Sequence, residues 1–150
     1  MSQAEPFVVQ VGDHLPLHVV GETISVLADG KATGSYEVFL QTGPEGAGPP
    51  PHFHPWDEAY YVLEGQIDVL LGERITTLSA GEFVHIPRGT VHNFRMKSRE
   101  AKFLSVSSHL GASRFFADLD REVGDRLDVP KMFEVAARHE VRVPPPPSAR

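Results

Sequence analysis

The stretch Pro51-His52-Phe53-His54-Pro55-Trp56-Asp57-Glu58 decides the fold and the chemistry expected of this chain. It places two imidazoles two residues apart, and on an extended backbone residues i and i+2 point to the same face. His52 and His54 can therefore reach one point in space. Glu58 follows Pro55, where the chain can turn and bring a carboxylate to the same point.

A third histidine occurs in a comparable setting further along the chain. His92 follows the turn-forming run Pro87-Arg88-Gly89, so we expect it to begin another strand. A histidine taken alone is more often a core residue than a ligand, and we assign packing or surface roles to His14, His18, His109 and His139. His85 should face away from Val84 and Ile86 on a predicted strand, which suits a packing or dimer-contact role.

Short alternating runs predict an all-β arrangement for the N-terminal part of the chain. Apolar and polar residues alternate over residues 23–28, 36–41 and 66–71, and later strands are expected at 82–86, 91–95 and 102–107. Asp29-Gly30 and Gly72-Glu73 are expected to form the tight turns that follow two of these runs. Many short strands at this spacing are typical of a β-sandwich or barrel.

The pattern changes to helical spacing after Leu110. Apolar residues recur at helical intervals at Phe115, Phe116, Leu119 and Val123. Ser113 is the expected N-cap of this helix and Gly124 its stop. A second helix is expected to start after Asp128, as N-cap, and to run to about Arg138.

Composition excludes several classes of function. The 150 residues suit one domain, and the absence of cysteine excludes a disulfide framework, a thiolate zinc site and a cysteine nucleophile. A net charge of −6 with scattered Lys and Arg argues against nucleic-acid binding. Neither a leader pattern at the N-terminus nor a run of apolar residues long enough to span a bilayer is evident, so we expect a cytoplasmic protein with no membrane partner.

Two glycine- and histidine-containing motifs make the chain resemble the cupin superfamily. The first motif is matched by Gly46, His52, His54, Glu58 and Gly65, and the second by Gly81, Pro87, Gly89 and His92. The asparagine that ends the second motif is replaced by Met96, at a position that is not a metal ligand in the family. The resemblance implies a double-stranded β-helix of the jelly-roll class, with His52, His54, Glu58 and His92 directed into its mouth as ligands of one divalent cation.

The predicted organisation has three parts. Residues 1–110 form the cupin barrel, with its motifs at 46–65 and 81–96, and residues 111–140 form a helical segment that packs on it. Residues 141–150 are expected to be an extended, proline-rich tail. Jelly-roll cupins are often dimers, so a homodimer is expected by analogy.

The donor set leaves both the metal and the reaction open. Three imidazoles and one carboxylate suit Mn, Fe, Co, Ni or Zn and leave two positions free on a six-coordinate ion. Such a site activates an oxygen-containing substrate as a Lewis acid, with room for dioxygen or water. A second role for Glu58 is that of a base toward a bound hydroxyl.

Aromatic residues around the ligands indicate the substrate. The expected pocket lining is Phe53, Trp56, Tyr60, Tyr61, Phe83 and Phe94, whereas Arg88 is the cation nearest in sequence. This lining favours a flat phenolic over oxalate or a sugar phosphate, which would require fixed cations.

The residues 111–119 and the ending of the chain resemble the closing segment of quercetin-dioxygenase-like cupins, which implies a dioxygenase acting on a flavonol-like molecule. An oxygen-independent isomerase or decarboxylase and a non-catalytic binding protein remain as alternatives.

Overall fold

A computed structural model describes residues 4–145, which fold into nine strands in two antiparallel sheets followed by two helices. The strands are β1 (Leu15–Val19), β2 (Glu22–Ala28), β3 (Glu37–Pro44), β4 (Glu58–Glu64), β5 (Gln66–Leu71), β6 (Arg74–Ser79), β7 (Phe83–Ile86), β8 (His92–Met96) and β9 (Glu100–Ser107). The helices are α2 (Ala112–Glu122) and α3 (Val129–Arg138), preceded by a single turn α1 (Gly30–Thr33) and a 3-10 turn (Val11–Asp13). The predicted all-β barrel with two C-terminal helices is confirmed.

The two sheets enclose a shared apolar core. One sheet has the order β1-β2-β3-β9-β4-β7 and the other the order β6-β5-β8. Both contribute to a single cluster of buried side chains, which includes Val62 from β4, Ile67 and Val69 from β5, and Phe103 from β9. Each large apolar side chain in such a core contributes about 1.5–3 kcal/mol when it is buried. This cluster fills one end of the barrel and leaves the other end for the histidines.

The register of the larger sheet places polar residues on its inner face. Ile24 pairs with Gln41 between β2 and β3, and Tyr60 pairs with Ser105 between β4 and β9. Because alternate residues of a strand share a face, Glu22 and Glu58 lie on the same inner face as these residues. Glu22, Gln41 and Ser105 are all buried. The inner face of this sheet therefore carries hydrogen-bonding groups as well as the apolar core.

Strand β7 lies at the opposite edge of this sheet from β1 and confirms the orientation predicted for His85. Ile86 is fully buried and Val84 is partly buried, whereas His85 is exposed. Strand β1 was not predicted, because its sequence Leu15-Pro16-Leu17-His18-Val19 contains a proline. In the structure this strand is largely exposed. Both features are typical of an edge strand.

The tight hairpin turn predicted at Asp29-Gly30 is wrong, because a single helical turn begins there. Asp29 instead caps α1, where its carboxylate accepts a hydrogen bond from the Ala32 amide at 2.8 Å. The Gly30 amide donates to the carboxylate of Glu37 at 2.7 Å. A side chain at Gly30 would collide with Leu110, so this close approach requires glycine. The turn at Gly72-Glu73 is confirmed between β5 and β6.

Glu37 joins the barrel to the start of α2. Its fully buried carboxylate accepts hydrogen bonds from the amide of Ser113 at 2.8 Å and from the hydroxyl of Ser113 at 2.6 Å. The prediction that Ser113 caps α2 is therefore wrong, and Gly111 occupies that position. The stop at Gly124, where φ is +62°, and the Asp128 cap of α3 are confirmed.

The two helices cover the open end of the larger sheet. Leu119 and Val123 of α2 and Val135 of α3 form one buried cluster with Ile24 and Phe39 of the sheet. This packing closes the side of the barrel away from the main core.

The predicted tail begins later than residue 141. Val141 is buried, and Arg142 forms an antiparallel bridge with Phe53, donating to and accepting from its backbone at 2.9 and 2.8 Å. The bridge forms because Phe53 offers backbone groups that no neighbouring strand uses. Residues 146–150 of the predicted tail lie outside the described residues.

Among the described residues, no helix has both the length and the apolar character needed to cross a membrane.

Candidate metal centre and its cavity

Backbone pairing brings the three motif histidines together. The amides and carbonyls of His52 and His92 exchange hydrogen bonds of 3.0 and 2.9 Å, which fixes the first motif against the start of β8. His54 lies two residues beyond His52, and Glu58 is the first residue of β4. The backbone bridge thus places His92 beside His52 and His54, which share a direction because they are two residues apart.

The imidazoles of His52, His54 and His92 converge on one point. Each offers a ring nitrogen, and these three atoms all lie within 4.8 Å of one another. His92 is fully buried, His54 is buried and His52 is partly buried. The group could therefore hold a metal ion on three nitrogen ligands.

Backbone carbonyls fix the tautomer of each ring. The Nδ1 atom lies 2.9 Å from the Pro50 carbonyl in His52, 3.1 Å from the Trp56 carbonyl in His54 and 2.7 Å from the Thr90 carbonyl in His92. A carbonyl oxygen can only accept, so each Nδ1 must carry the proton that it donates. In a neutral ring, Nε2 then presents a lone pair. This second hydrogen bond orients metal-binding histidines in general.

Glu58 contacts two of the three rings. Its Oε2 atom lies 3.1 Å from His92 Nε2 and 3.5 Å from His54 Nε2. Tyr60, on the same face of β4, donates a hydrogen bond to Oε2 at 3.1 Å. At 3.5 Å His54 Nε2 makes no hydrogen bond, and it is a buried atom without a partner among the described residues. When the three rings are neutral, the carboxylate and the Nε2 atoms that meet here are all acceptors.

The charges of these groups respond to one another. The pKa of His52 falls to about 4, because burial disfavours its charged form and His92 repels it. Burial also acts to lower the pKa of His92, but the hydrogen bond and negative charge of Glu58 outweigh burial, and the net shift is upward. Burial alone would raise the pKa of Glu58, yet the imidazoles of His54 and His92 hold that pKa well below its usual range. The carboxylate is therefore charged and ready to accept a cation.

A divalent metal fits this arrangement. Lone pairs that face one another in a buried site repel, and only a positive charge between them makes the arrangement favourable. A proton on His92 serves that purpose for Glu58 but leaves His54 Nε2 without a partner. A metal ion satisfies all of these atoms at once and releases the proton.

His52, His54 and Glu58 open into a cavity of about 370 Å³. Its walls come from the inner face of the larger sheet, from α2 and α3, and from the proline-rich approach to the first motif. Most of the lining is apolar, with Pro49, Phe115, Phe116, Met132 and Phe133 among the larger contributors. The volume is in the range of sites that bind small molecules.

Three of the aromatic residues predicted to line the pocket do so, and three do not. Trp56, Tyr60 and Phe94 lie on the cavity wall. Phe53 lies between the two histidines of the first motif and points away from them, because alternate residues of an extended segment face opposite ways. The same alternation turns Tyr61 away from Tyr60, and it places Phe83 on the outside of β7, where it is 61% exposed.

Trp56 supports His54 from one side. Their rings stack at 4.0 Å with 6° between the planes, and His109 stacks on the other face of Trp56 at 4.3 Å. The sequence suggested no site role for His109. Burial lowers the pKa of His109, which favours the neutral ring that stacks against the indole. The stack fixes the plane of His54 and so the direction of its Nε2 lone pair.

Glu22, Gln41 and Arg95 also line the cavity, and the sequence did not identify them. Glu22 is the first residue of β2 and is 6% exposed. Burial raises its pKa to about 8, although a hydrogen bond from Gln41 opposes the rise. No local motif marks these residues, since they meet through strand pairing. Arg88, the cation nearest to the ligands in sequence, instead pairs with Asp57 at 3.1 Å on the surface.

Residues 39–107 match the family model described as a cupin domain. These residues form a cupin domain. The match includes most of β3, all of β4 through β9 and all four proposed ligands of this cupin.

Several proteins of known name are similar to this cupin. It is 31% identical to quercetin 2,3-dioxygenase of Bacillus subtilis over 105 residues, which cover 69% of this chain and 31% of that protein. The structure of KdgF from Halomonas sp. is similar with a TM-score of 0.64 and 22% identity, and the match covers 69% of this chain and 94% of that one. The polyketide cyclase RemF from Streptomyces resistomycificus has a TM-score of 0.60 and 26% identity, with 69% and 79% covered.

The chain spans about a third of the length of the quercetin dioxygenase and about half of a second curated relative, an uncharacterized protein of Streptomyces coelicolor. A lyase and a decarboxylase also occur among the solved structures that match. The fold is therefore shared by proteins named as dioxygenase, cyclase, lyase and decarboxylase.

Replacing His54 with alanine should abolish tight metal binding. The substitution removes the buried Nε2 atom that has no other partner, and it leaves two imidazoles. We expect the affinity for Co²⁺ or Zn²⁺ to fall by more than the roughly 100-fold typical of losing a supporting residue. Competition with a chromophoric chelator measures this change. His85→Ala, on the outer face of β7, is the matched control and should bind metal as the wild type does. Equal affinity in wild type and His54→Ala would contradict the assignment.

Replacing Glu22 with glutamine should change how stability depends on pH. The ordinary pKa of 4.5 applies to the unfolded chain and a value of about 8 to the folded protein. Between these values only the folded state keeps the proton, so the free energy of unfolding falls as pH rises. The fall is at most about 1.4 kcal/mol per pH unit. Glu22→Gln has no proton to lose and should lack this component.

Urea unfolding at pH 5.5, 6.5 and 7.5 tests this expectation. The stability of Glu22→Gln relative to wild type should increase at each step. Glu73→Gln, at an exposed position in the turn after β5, is the control and should parallel the wild type. Parallel curves for Glu22→Gln would show that Glu22 ionises normally.

Proposed function

We propose that this cupin is a metal-dependent dioxygenase that acts on a phenolic, flavonol-like small molecule. The observation that carries the proposal is the convergence of three imidazoles and the Glu58 carboxylate beside a largely apolar cavity, whose wall includes His52, His54 and Glu58. The proposed ligands are His52, His54, Glu58 and His92, and the proposed ion is one of Mn, Fe, Co, Ni or Zn. When bound, this ion would supply Lewis-acid activation of an oxygen substrate.

The chemistry of the cavity supports an aromatic substrate. The wall offers ring edges and faces from Trp56, Phe94 and the helices, and these pack well against a flat ring system. Among the described residues, Arg95 is the one lysine or arginine that lines the cavity. Its side chain is exposed and donates a hydrogen bond to the Gly48 carbonyl. A sugar phosphate would need buried cations to replace its hydration. A neutral molecule with a few oxygen atoms fits the wall better.

Glu58 and Tyr60 form the proton-handling part of the proposed site. The Tyr60 hydroxyl donates to Glu58 Oε2 and keeps that oxygen in place. Burial and the negative charge of Glu58 raise the pKa of Tyr60 well above its usual value, so Tyr60 stays a phenol and a donor. Glu58 contacts only two of the three imidazoles, which suits a second role as base toward a substrate hydroxyl. Accepting that proton would leave the substrate oxygen negative, as binding to a cation requires.

Similarity to the Bacillus quercetin dioxygenase also supports the proposal. The match covers 69% of this chain, so it extends beyond the residues 39–107 that define the cupin domain. It covers only 31% of the relative, so the activity of the whole relative is a proposal for this chain. The homodimer expected from other jelly-roll proteins likewise remains a prediction.

The alternative is an oxygen-independent enzyme built on the same site. The 26% identity with a polyketide cyclase favours it, because ring closure by condensation needs proton transfer rather than dioxygen. The isomerase and decarboxylase classes use the same combination of Lewis acid and base.

Oxygen uptake with a panel of flavonols and catechols tests the proposal. The protein is stripped of metal and reloaded separately with Mn²⁺, Fe²⁺, Co²⁺ or Ni²⁺. Uptake should require both a metal and His54, and it should persist in His85→Ala. Removing one ligand of a working metal abolishes the charge stabilisation that the reaction needs.

Two outcomes would contradict the dioxygenase. Product formation under strict anaerobiosis would favour the cyclase-like alternative. No uptake with any of these metals, in protein shown to contain one, would exclude oxygen chemistry on this panel.

A further inference from the structure

The cavity has a second carboxyl group that the proposed metal site does not use. Glu22, at the start of β2, is buried, and its side chain lines the same cavity as His54 and Glu58. A buried carboxyl group is usually paired with a cation or with several donors. No Lys, Arg or His of residues 4–145 forms an ion pair with Glu22. Its placement therefore calls for another explanation.

A fixed amide orients one oxygen of Glu22. The Ser105 hydroxyl donates to Gln41 Oε1 at 2.6 Å, so the carbonyl end of the Gln41 amide faces Ser105. The amide nitrogen is then directed to Glu22, where it donates to Oε1. Gln41 and Ser105 are both buried and belong to neighbouring strands. This chain of two hydrogen bonds holds Glu22 in one orientation and leaves Oε2 without a partner among the described residues.

The second oxygen of Glu22 is available to the cavity. In residues 4–145, the fully buried side-chain atoms without a hydrogen-bond partner are His54 Nε2 and Trp56 Nε1. Glu22 Oε2 also has no partner there but is not one of these atoms, so it is not fully buried. An atom that has neither a protein partner nor full burial is open to the adjoining space. That space is the cavity which the side chain lines.

We propose that Glu22 is a substrate-positioning residue whose free carboxyl oxygen hydrogen-bonds an oxygen of the phenolic molecule bound beside the three histidines. The inference rests on the phenolic substrate class of the proposed function, although not on the reaction itself. The site would then contact its ligand at two polar points, the metal and Glu22, with an apolar wall around them. A ligand of this class has at least two oxygen functions on a flat ring system.

The surroundings of Glu22 favour a hydrogen-bond donor at this point. Tyr60, on β4, lies near Glu22, and a negative charge on Glu22 contributes to the raised pKa of Tyr60. The Tyr60 hydroxyl donates its hydrogen bond to Glu58. Gln41, on β3, is neutral, so neither neighbour compensates a negative charge on Glu22. Burial raises the pKa of Glu22 accordingly. The protonated carboxyl can donate to a ligand carbonyl, hydroxyl or phenolate oxygen.

Binding to zinc-loaded protein under nitrogen tests the inference without any turnover. Zn²⁺ has no redox chemistry, so the ligand remains intact. The probes are quercetin and 2-phenylnaphthalene, an oxygen-free hydrocarbon with a similar ring layout. The chain has one tryptophan, and Trp56 is on the cavity wall, so its fluorescence reports occupancy. Wild type, Glu22→Leu and Glu22→Gln are compared.

Glu22→Leu should weaken quercetin binding about tenfold, as expected for one buried hydrogen bond, and should bind 2-phenylnaphthalene at least as well as the wild type. Glu22→Gln should stay within about threefold of wild type for quercetin, since its amide also accepts from Gln41 and donates to the ligand. This rescue by an isosteric amide distinguishes hydrogen bonding from a purely structural role. Thermal unfolding of each variant confirms that it is folded.

Three results would overturn the inference. Unchanged quercetin affinity in Glu22→Leu would show that Glu22 does not contact the ligand. Equal weakening for both probes would show a structural role only. Absence of quercetin binding to the wild type would overturn the inference together with the phenolic substrate class. By contrast, Glu22-dependent binding in a protein that consumes no oxygen would contradict the dioxygenase alone.

Discussion

The candidate site depends on lone pairs that are held against one another. Three imidazoles donate their Nδ1 protons to backbone carbonyls, and in a neutral ring this leaves the Nε2 atom as an acceptor near the Glu58 carboxylate. In a buried setting such a group of acceptors is unfavourable without a cation. The rest of the barrel provides the rigidity that keeps the acceptors together. The bridge between His52 and His92, the stack of Trp56 on His54 and the hydroxyl of Tyr60 each fix one member.

The helices complete the wall of the cavity beside the candidate metal centre. Without them the inner face of β2 and β3 would be open at one end, because the main apolar core occupies the other end of the barrel. Glu37 ties the start of α2 to the barrel, and side chains of both helices complete the cavity wall. Excluding water strengthens every charge interaction within the cavity. The fold thereby provides a largely apolar cavity that has polar groups at a few points on its wall.

The parts that the sequence predicted are those that depend on local spacing. His52 and His54 share a direction because they are two residues apart, and His92 was found because a turn and a glycine precede it. Ile67 and Val69 face the core as their alternation indicated. The Asp128 cap of α3 was recognised for the same reason, since the cap contacts a residue three positions away.

The parts that the sequence missed depend on distant pairing. Glu22 joins the cavity only because β2 pairs with β3, which places Gln41 beside it. Ser113 gives its amide and hydroxyl to Glu37, 76 residues away, and so cannot be judged from its neighbours. The error about Phe53 and Phe83 is different in kind. Both are close to ligands in sequence, but strand alternation directs them outward, and proximity in sequence was mistaken for proximity in space.

X-ray absorption spectroscopy of the cobalt-loaded protein tests the central claim most directly, since it reads the ligands without needing a substrate. The account predicts a first shell that contains three imidazole nitrogens and a carboxylate oxygen at about 2.0–2.2 Å, with one imidazole lost in His54→Ala. A shell of oxygen atoms with fewer than two imidazoles, unchanged in that variant, would contradict it.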